Sequence, residues 1–425
     1  MTEVSFQVCV VGLGYIGLPT AAMFATHGLR VVGVDTDPAV VVAINGGDTH
    51  ILEPGMGALL REAIGSGNLT AQSEVQTSDV YVVAVPTPLT PDHRPDLGNV
   101  LAACRSISRH LCPGNLVVIQ STVPPGTTLR TIAPLLEEYG LRAGEDFTLA
   151  YCPERVLPGT ILREIVENDR TIGGIDATST GRAVDLYASF VSGSIYGTDA
   201  TTAEMVKLSE NTFRDVNISL ANELARIASQ VGVDVWQVID MANRHPRVNL
   251  HRPGPGVGGH CIPVDPWFLV DAVPEAARLI RTGREVNDAQ PGLVVKVVLD
   301  LLGHTPHPKA ALLGVAYKAD VDDTRGSPAL DVIYGLEVAG VAVSVHDPHM
   351  RQFMRPQADL EQAFRDADIA VLLTDHREFQ SLDPYRLGTL MRSRNMLDTR
   401  HCLDADRWRK AGFHVDVLGV GRVLR

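Results

Sequence analysis

The fold is indicated by the amino-terminal stretch Phe6-Gln7-Val8-Cys9-Val10-Val11-Gly12-Leu13-Gly14-Tyr15-Ile16-Gly17. Its first six residues form an apolar run that predicts a buried strand. Residues 18–27, rich in Ala, Met and Phe, predict a helix, and a second apolar run over residues 30–34 ends at Asp35. Strand, glycines, helix, strand and acid in this order form the dinucleotide-binding fingerprint, which is more specific than the three glycines alone.

Each residue of this fingerprint has a physical task. Gly12 permits a tight turn, Gly14 lets the backbone approach a pyrophosphate, and Gly17 lets helix and strand pack closely. The phosphates would lie at the helix N-terminus. Asp35 would accept hydrogen bonds from the adenosine ribose and repel a 2′-phosphate, and the next two residues offer no Arg to bind one. The sequence therefore predicts NAD rather than NADP.

Further apolar runs over residues 80–85 and 116–120 predict strands that end in polar loops. Such strands, alternating with helical segments, indicate a parallel sheet covered on both faces. Ligands bind at the carboxyl ends of these strands, which makes Thr87 and Thr122 candidate cofactor contacts. Another strand end leads into Cys152-Pro153-Glu154-Arg155, where the last two residues are either functional or a surface ion pair.

Composition and charge restrict the classes of protein. At 425 residues, 45% of them hydrophobic, the chain predicts two or three globular domains. A net charge of -13 disfavours nucleic acid or an anionic membrane surface as the main partner. The six cysteines lack C-x-x-C or zinc spacing, and the first residues lack a secretory pattern. We expect a cytoplasmic protein with free thiols, no membrane span and no metal site; His245, His251 and His260 match no common ligand spacing.

A long helix is predicted after the first α/β half. Thr201-Thr202-Ala203-Glu204 has capping-box spacing, and good helix formers continue to about Gln230, before Gly232. Lys207, Asn211 and Arg214 project from one face of this helix, either as a functional group or as a solvated polar stripe. Because so long a helix between two α/β halves commonly serves as a subunit contact, we expect a homodimer.

Residues 253–266 contain four glycines and four prolines and therefore predict a shaped loop. Its reactive side chains are Cys261 and Asp265. A lone cysteine is often only a small buried hydrophobe, so the loop by itself leaves catalysis and packing equally open. The preceding residues 243–252 are the most basic short stretch of this acidic chain, which favours a phosphate-facing role for them.

The carboxyl-terminal part repeats the strand-helix-strand order. Strands are predicted over residues 309–316, 341–345 and 369–374, with a helix over residues 329–339. No G-x-G-x-x-G accompanies them, so this half resembles a nucleotide domain that does not hold a dinucleotide in the usual way. Lys318 and Arg325 are the candidate cations for ligand phosphates or cofactor, and the alternative is pairing with Asp320, Asp322 and Asp323.

Four segments now resemble one family. They are Gly-Leu-Gly-Tyr-Ile-Gly-Leu-Pro-Thr-Ala at 12–21, Cys-Pro-Glu-Arg-Val-Leu-Pro-Gly at 152–159, Ser-Glu-Asn-Thr-Phe-Arg-Asp-Val-Asn-Ile at 209–218, and the loop at 253–266. Together, and in this order, they are similar to the UDP-glucose/GDP-mannose dehydrogenase family over essentially the whole chain. One residue departs from the family pattern: Gly326 follows Arg325 where Glu is common, which puts local ion pairing near Arg325 in doubt.

The resemblance implies a four-electron oxidation of a sugar C6 alcohol to a carboxylate with two NAD⁺. Cys261 would form a thiohemiacetal and then a thioester. Lys207 and Asn211 would hold the C6 oxygen, Lys207 would also shuttle a proton, and Asp265 and Glu154 are candidates for general base and water activation. The implied NAD contacts are Tyr15, Ile16, Asp35, Thr87, Thr122 and Arg325. The implied UDP-sugar contacts are Arg155, Val156, Arg214, His245, Arg247, Gly258, Tyr317 and Lys318, with Lys207 and Asn211.

Within the family, His-Pro-Arg-Val-Asn at 245–249 followed by Gly-Val-Gly-Gly-His-Cys at 256–261 implies UDP-N-acetyl-D-mannosamine as substrate. Enzymes acting on UDP-N-acetyl-D-glucosamine share the Gly-Gly-His-Cys element and stay the alternative. Two further classes remain open: a two-electron NAD-dependent dehydrogenase and a non-catalytic NAD-binding scaffold.

The predicted architecture is α/β, with two Rossmann-like doubly wound domains joined by a long central helix in an α-helical dimerisation domain. Residues 1–198 would bind NAD, residues 199–298 would carry the cysteine loop, and residues 299–425 would bind the UDP-sugar.

Overall fold

The computed structural model describes residues 6–351 and 353–421. They form two compact units, which divide within the long helix. The first contains the described residues up to Glu210 together with Trp267–Pro274, and the second contains Asn211–Pro266 and the described residues from Glu275 onward. The predicted boundaries at residues 198 and 298 are a different, three-part division and stay a prediction.

The first unit is built on an eight-stranded sheet of order β3-β2-β1-β4-β5-β6-β7-β8. All neighbouring strands are parallel except β6 and β7, which are antiparallel. The strands are β1 Phe6–Val11, β2 Val31–Val34, β3 Leu69–Gln72, β4 Ser78–Val83, β5 Leu116–Ile119, β6 Thr148–Tyr151, β7 Arg170–Gly174 and β8 Ile195–Asp199. The helices are α1 Gly17–Thr26, α2 Pro38–Asn45, α3 Met56–Gly65, α4 Gly98–Ser108, α5 Ala133–Leu136, α6 Ile161–Glu167 and α7 Ala177–Tyr187.

Both faces of this sheet are buried, which explains why its strands are continuous apolar runs. In β1, Val8 and Val10 pack into one hydrophobic cluster, whereas Cys9 and Val11 pack into a second. Successive side chains of a strand point to opposite faces, so a strand covered on both faces must be apolar at every position. The parallel sheet predicted from the sequence is confirmed.

The long helix is α8, Ala200–Val231, and it ends where Gly232 adopts a φ of +80°. The predicted capping box is wrong. Asp199, at the end of β8, accepts the backbone N–H of Thr202 at 2.9 Å. Glu204 instead turns away into the interior of the first unit, where its carboxylate accepts the N–H groups of Gly126 and Thr128.

The second unit contains the rest of α8 and the helices α9 Val235–Ala242, α11 Arg278–Asp288 and α12 Gln290–Leu302; α10, Asp265–Ala272, follows the cysteine loop. Its sheet is parallel throughout, with the order β10-β9-β11-β12-β13. The strands are β9 Lys309–Leu313, β10 Ala342–His346, β11 Ile369–Leu372, β12 Asn395–Asp398 and β13 His414–Val417. The remaining helices are α13 Pro328–Val338, α14 Leu360–Phe364, α15 Pro384–Gly388 and α16 Ala405–Lys410.

The predicted fold class is confirmed: the chain has two Rossmann-like sheets and a long central helix. Most predicted strands extended one to three residues beyond the observed carboxyl ends. The reason is that turn residues such as Ala84, Val85 and Val315 are apolar too. No helix in the described part of the chain has the length and apolarity needed to cross a membrane.

Candidate active site

The glycine turn after β1 has the geometry that its sequence predicted. Gly12 adopts a φ of +94°, and a Cβ there would lie 2.6 Å from the carbonyl oxygen of Ala84. A Cβ on Gly17 would lie 1.8 Å from the carbonyl oxygen of Gly12, whereas Gly14 faces open space. A turn beside a bound pyrophosphate requires backbone packed too closely for a Cβ at Gly12 and Gly17 and open space at Gly14, and the structure has all three features.

A cavity of about 900 Å³ opens at this turn. Asp35 lies in its wall and also supports the turn, because its Oδ2 accepts the N–H of Leu13 at 2.9 Å. The volume and the glycine turn fit a dinucleotide. Sequence reasoning missed other parts of the wall, which come from the segment after β3, from α4 and from the two residues after α4: Ser73, Glu74, Gln76, Asn99, Ser106, Arg109 and His110. No local motif marks these residues.

The other predicted NAD contacts of the first unit are half-buried. Tyr15 and Ile16 follow the glycine turn, and Thr87 and Thr122 follow the ends of β4 and β5. Because β4 and β5 are neighbours in the sheet, these two loops leave the same edge. Their contact with NAD stays a prediction.

Glu154 is part of a buried network rather than a surface ion pair with Arg155. Its Oε2 lies 3.0 Å from Nη2 of Arg170, and the two side chains are only 7% and 4% exposed. Gln120 Nε2 approaches the same carboxylate oxygen at 3.3 Å, and the backbone N–H of Arg155 donates to Oε1 at 2.8 Å. The Arg170 guanidinium lies over the ring of Tyr187 at 5.1 Å.

The side chain of Arg155 pairs elsewhere. Its Nη1 lies 2.5 Å from Glu210 on α8, and its Nη2 donates to the carbonyl of Asp169. The alternative of an ion pair between Arg155 and Glu154 is therefore wrong. Val156, the next predicted substrate contact, is half-buried against the core of the first unit.

Two predicted catalytic residues of the second unit meet directly. Nδ2 of Asn211 donates a 2.6 Å hydrogen bond to Oδ2 of Asp265, and both residues are buried. They are 54 positions apart in the chain. Lys207 stands one helical turn before Asn211 on α8 and is 8% exposed, whereas Arg214, on the next turn, is exposed. A simple solvated stripe is therefore wrong for Lys207 and Asn211.

The cysteine loop is irregular over residues 253–264, as predicted, and α10 begins at Asp265. Cys261 is exposed, and its carbonyl accepts the N–H of Asp265 at 2.8 Å. The glycines before it are needed for close packing: a Cβ on Gly258 would lie 2.8 Å from the carbonyl of Gly326 and 2.9 Å from Cβ of Tyr317. An exposed thiol on a tightly packed loop suits a nucleophile better than a packing residue.

Asp323 contacts both His260, the residue before Cys261, and Arg325, a predicted cofactor contact. Its Oδ2 lies 3.2 Å from Nε2 of His260 and 2.8 Å from Nη2 of Arg325. Burial by itself would raise the pKa of Asp323, but hydrogen bonds from His260 and Arg325 outweigh it and lower that pKa. Arg325 therefore forms a local ion pair with Asp323. Asp323 is one of the three acids predicted from the sequence as alternative partners of Lys318 and Arg325.

The remaining predicted substrate contacts of the second unit differ in exposure. Lys318, His245 and Arg247 are exposed, and Tyr317 is half-buried with its ring 6.3 Å from that of His260. Asp320, His349 and His376 also lie close together. Both ring nitrogens of His376 are engaged in hydrogen bonds, with the N–H of Asp320 and with the carboxylate of Asp347.

The glycine turn, the cavity beside it and the acid directly after β2 define a dinucleotide-binding protein of the Rossmann type. Family models match at residues 6–191, 201–289 and 311–405, described as the NAD binding, central and UDP binding domains of one family. The chain belongs to the UDP-glucose/GDP-mannose dehydrogenase family. It is an NAD-dependent UDP-sugar dehydrogenase, as predicted.

Relatives support the assignment over nearly the whole chain. A Methanococcus aeolicus protein named UDP-N-acetyl-D-mannosamine dehydrogenase is 45% identical, covering 98% of this chain and 96% of that protein. A Ralstonia nicotianae protein named NDP-N-acetyl-D-galactosaminuronic acid dehydrogenase is 47% identical, covering 95% and 98%. The solved structure of UDP-D-ManNAc dehydrogenase from Pyrococcus horikoshii matches with a TM-score of 0.91 at 43% identity, covering 98% and 100%.

Proposed function

We propose that the protein oxidises UDP-N-acetyl-D-mannosamine at C6 to UDP-N-acetyl-D-mannosaminuronate, for surface polysaccharide synthesis. The observation that carries the proposal is the buried hydrogen bond between Asn211 and Asp265. Asp265 is the first residue of α10 and lies four positions after the exposed Cys261. A carboxylate, an amide donor and a thiol are the groups that oxidation through a covalent acyl intermediate needs. The names of the Methanococcus and Pyrococcus relatives support the choice of sugar.

In the proposed mechanism, the chain's residues act on the oxygen and carbon at C6. Asp265 accepts the proton of the alcohol, and Lys207 and Asn211 hold the oxygen as charge develops on it. Loss of the first hydride from C6 gives the aldehyde. Cys261 then attacks the aldehyde carbon while the thiol proton passes to the C6 oxygen, which gives a thiohemiacetal, and loss of that hydroxyl proton together with the second hydride gives a thioester. Water then breaks the C–S bond, releasing the carboxylate and the thiol. Bound NAD⁺ supplies the acceptor for the two hydrides, one NAD⁺ for each.

We assign Glu154 to orienting water for the hydrolysis step. The contacts with Arg170, Gln120 and the Arg155 N–H hold its carboxylate in one position from three sides. Such a carboxylate is suited to accepting a hydrogen bond from a water that must be placed accurately. Asp265, whose Oδ2 accepts a 2.6 Å hydrogen bond from Nδ2 of Asn211, is our candidate for the base.

The decisive experiment counts NADH released per UDP-sugar consumed. UDP-N-acetyl-D-mannosamine is run beside the UDP derivatives of N-acetyl-D-glucosamine, N-acetyl-D-galactosamine and glucose. We expect two NADH per molecule with the mannosamine sugar and little turnover with the others. Two NADH only with the glucosamine or galactosamine sugar would keep the chemistry and overturn the substrate. One NADH per sugar would identify a two-electron dehydrogenase, and none with any sugar would support a scaffold.

The role of the thiol is tested by Cys261→Ser. The rate of uronate formation should fall at least about a thousandfold in this variant. The reason is that the serine hydroxyl is a weaker nucleophile than the thiol, and the oxygen ester that it would form is hydrolysed more slowly than a thioester. Cys112→Ser, which changes an exposed thiol that the mechanism does not use, is the matched control and should keep wild-type turnover. Full uronate formation by Cys261→Ser would show that no acyl-enzyme on this residue is needed.

We also propose that the protein is a homodimer whose subunits meet along α8. Phe213, Leu220 and Ile227 are 58%, 45% and 50% exposed and recur every seven residues, so they lie along one side of the helix. Light scattering on Ile227→Glu should give a monomer mass where the wild type gives a dimer. Ser229→Glu, on the opposite side of the helix, should stay dimeric. A monomeric wild type would overturn the proposal.

A further inference from the structure

The loop that carries Tyr317 and Lys318 is held at its start by side chains from two strand ends. Asp347, just after β10, accepts the N–H groups of Val315 at 2.7 Å and Ala316 at 3.1 Å. Thr374, just after β11, donates its hydroxyl to the carbonyl of Ala316 at 2.7 Å. The loop leaves β9 between these two strands, so its first residues are fixed from both sides.

A second point of the loop, Asp320, is held by His376. Its Nδ1 accepts the N–H of Asp320 at 2.9 Å, and its Nε2 lies 3.0 Å from Oδ2 of Asp347. The ring is fully buried, with its centre 4.7 Å from that of His349 and 5.4 Å from that of Phe379. One imidazole therefore connects two points on either side of Tyr317 and Lys318, because Asp347 holds Val315 and Ala316 and the ring itself holds Asp320.

Only one form of the ring satisfies both bonds. The backbone N–H of Asp320 can only donate, so Nδ1 must carry a lone pair. The proton of the neutral ring is then on Nε2, where it donates to the carboxylate of Asp347. This polar chain is buried, and each member would lose a partner if the ring were replaced by an apolar one.

The conformation at Asp320 shows that the loop needs such an anchor. Asp320 has a φ of +60°, a left-handed conformation that costs free energy for a residue with a Cβ. Its N–H is held by His376, and its carboxylate accepts the N–H of Arg377 at 3.1 Å. The strained residue is thus bound from both of its polar groups to the segment that follows β11.

We propose that His376 is a positioning residue for the UDP-sugar: by fixing Asp320 it holds Tyr317 and Lys318 where they contact the nucleotide. The inference rests on the proposed contact of these two residues with the UDP-sugar. His376 itself does not touch the substrate in this scheme, and it acts only through the loop.

Two variants separate the two hydrogen bonds of the ring. His376→Asn keeps an oxygen near the position of Nδ1 and can still accept from Asp320. His376→Gln keeps an amide near the position of Nε2 and can still donate to Asp347, but it abandons Asp320. We expect the Gln variant to raise KM for the UDP-sugar and Kd for UDP about tenfold and to leave KM for NAD within about twofold. In the Asn variant, KM for the UDP-sugar, Kd for UDP and KM for NAD should each stay within about threefold of the wild-type value.

The measurements are steady-state kinetics in each substrate and calorimetric titration with UDP alone, beside the thermal midpoint of every variant. His346→Gln, a half-buried histidine of β10 bonded to the carbonyl of Ala358, is the matched control. Wild-type UDP affinity in His376→Gln would overturn the proposal. Equal losses in KM for NAD and KM for the UDP-sugar in both variants would do the same, since they would mean a general structural role.

A further variant covers failure of the Gln protein to fold. Thr374→Val removes another side-chain contact of the loop, the one with the carbonyl of Ala316, without changing the size of the side chain, and it should raise Kd for UDP about fivefold. An unchanged Kd there would also overturn the inference. Because UDP binding needs no turnover, a wild type that binds UDP but oxidises no UDP-sugar would refute the proposed function and leave this inference standing.

Discussion

At the scale of single residues, Asp35 has two tasks that a sequence motif does not separate. The motif assigns it to the ribose of the cofactor. In the structure one carboxylate oxygen also accepts the N–H of Leu13, inside the glycine turn, and the other accepts the N–H of Asp37. The acid that is predicted to select the cofactor therefore also supports the glycine turn that is predicted to receive the cofactor's phosphates.

Asp35→Asn tests whether Asp35 selects NAD over NADP without removing its hydrogen bond to the glycine turn. The Asn side chain keeps an oxygen that can accept from Leu13, but it loses the charge that repels a 2′-phosphate. We expect the ratio of kcat/KM for NAD to that for NADP to fall about tenfold. Asp37→Asn, a neighbouring acid that caps α2 and for which Asn is an equally good cap, should leave the ratio unchanged. An equal fall in both variants would contradict a specific role for Asp35.

Arg170 and Glu154 form a buried ion pair whose members need each other. Arg170→Met should lower the free energy of unfolding by about 3–5 kcal/mol, because the Glu154 carboxylate then loses its cation in a buried position. The double variant Arg170→Met/Glu154→Gln should lose clearly less than the sum of the single variants. Denaturant unfolding measures all three. Arg163→Met, from an exposed pair with Glu167, is the control and should cost under about 1 kcal/mol; additive losses at Arg170 and Glu154 would refute the coupling.

At the scale of elements, α8 and α11 together hold the start of the cysteine loop. Asn222 on α8 accepts the N–H of Gly254 at 2.9 Å and donates to Asn287 on α11 at 2.9 Å. Asn287 in turn donates to both the carbonyl and the carboxylate of Asp215. Because Asn222 and Asn287 are almost fully buried, the loop begins from a rigid point rather than from solvent.

Removing this anchor should loosen the loop. In Asn222→Ala the N–H of Gly254 loses its acceptor, and we expect amide hydrogen exchange over residues 253–262 to accelerate about tenfold or more. Ser229→Ala, also on α8, removes only a bond to the carbonyl of Ala225 and should leave the loop's exchange rates alone. Wild-type exchange in Asn222→Ala would mean that packing of the glycines holds the loop by itself.

At the scale of the whole molecule, the two Rossmann-like sheets share one feature: an aspartate that follows one strand binds the turn after the neighbouring strand. Asp35 follows β2 and binds the turn after β1, and Asp347 follows β10 and binds the turn after β9. In the first unit a cavity adjoins the acid. In the second, the ring of His376 binds the acid. The acid of the second turn is thus paired with a side chain of the protein itself, whereas the acid of the first turn faces a cavity.

This arrangement predicts part of the acid sensitivity of the protein. Burial would raise the pKa of Asp347, but the hydrogen bonds from His376 and Val315 prevail and lower it to about 2. Its contribution to stability, about 2 kcal/mol, is then complete above about pH 4 and is lost as the pH falls towards 2. Asp347→Asn should therefore be less stable than the wild type at pH 7, and the difference should shrink between pH 4 and pH 2.

Urea unfolding of both proteins from pH 7 to pH 2.5 checks this dependence. Asp359→Asn, at the exposed cap of α14 where Asn is an equally good residue, serves as the control and should differ little from the wild type at any pH. A stability difference for Asp347→Asn that stays constant across the whole range would refute the linkage.

The sequence by itself determined the features that depend on residues close together in the chain. The glycine turn, its acid, the apolar strands, the long helix and the irregular cysteine loop are of this kind, because backbone conformation and side-chain periodicity are local properties. Only the tertiary structure decided the partners. Glu154 pairs with Arg170 rather than with its neighbour, Glu204 holds a loop rather than a cap, and Asp265 meets Asn211. A buried charge or amide bonds to whichever group the fold brings within about 3 Å, and chain spacing carries no information about that distance.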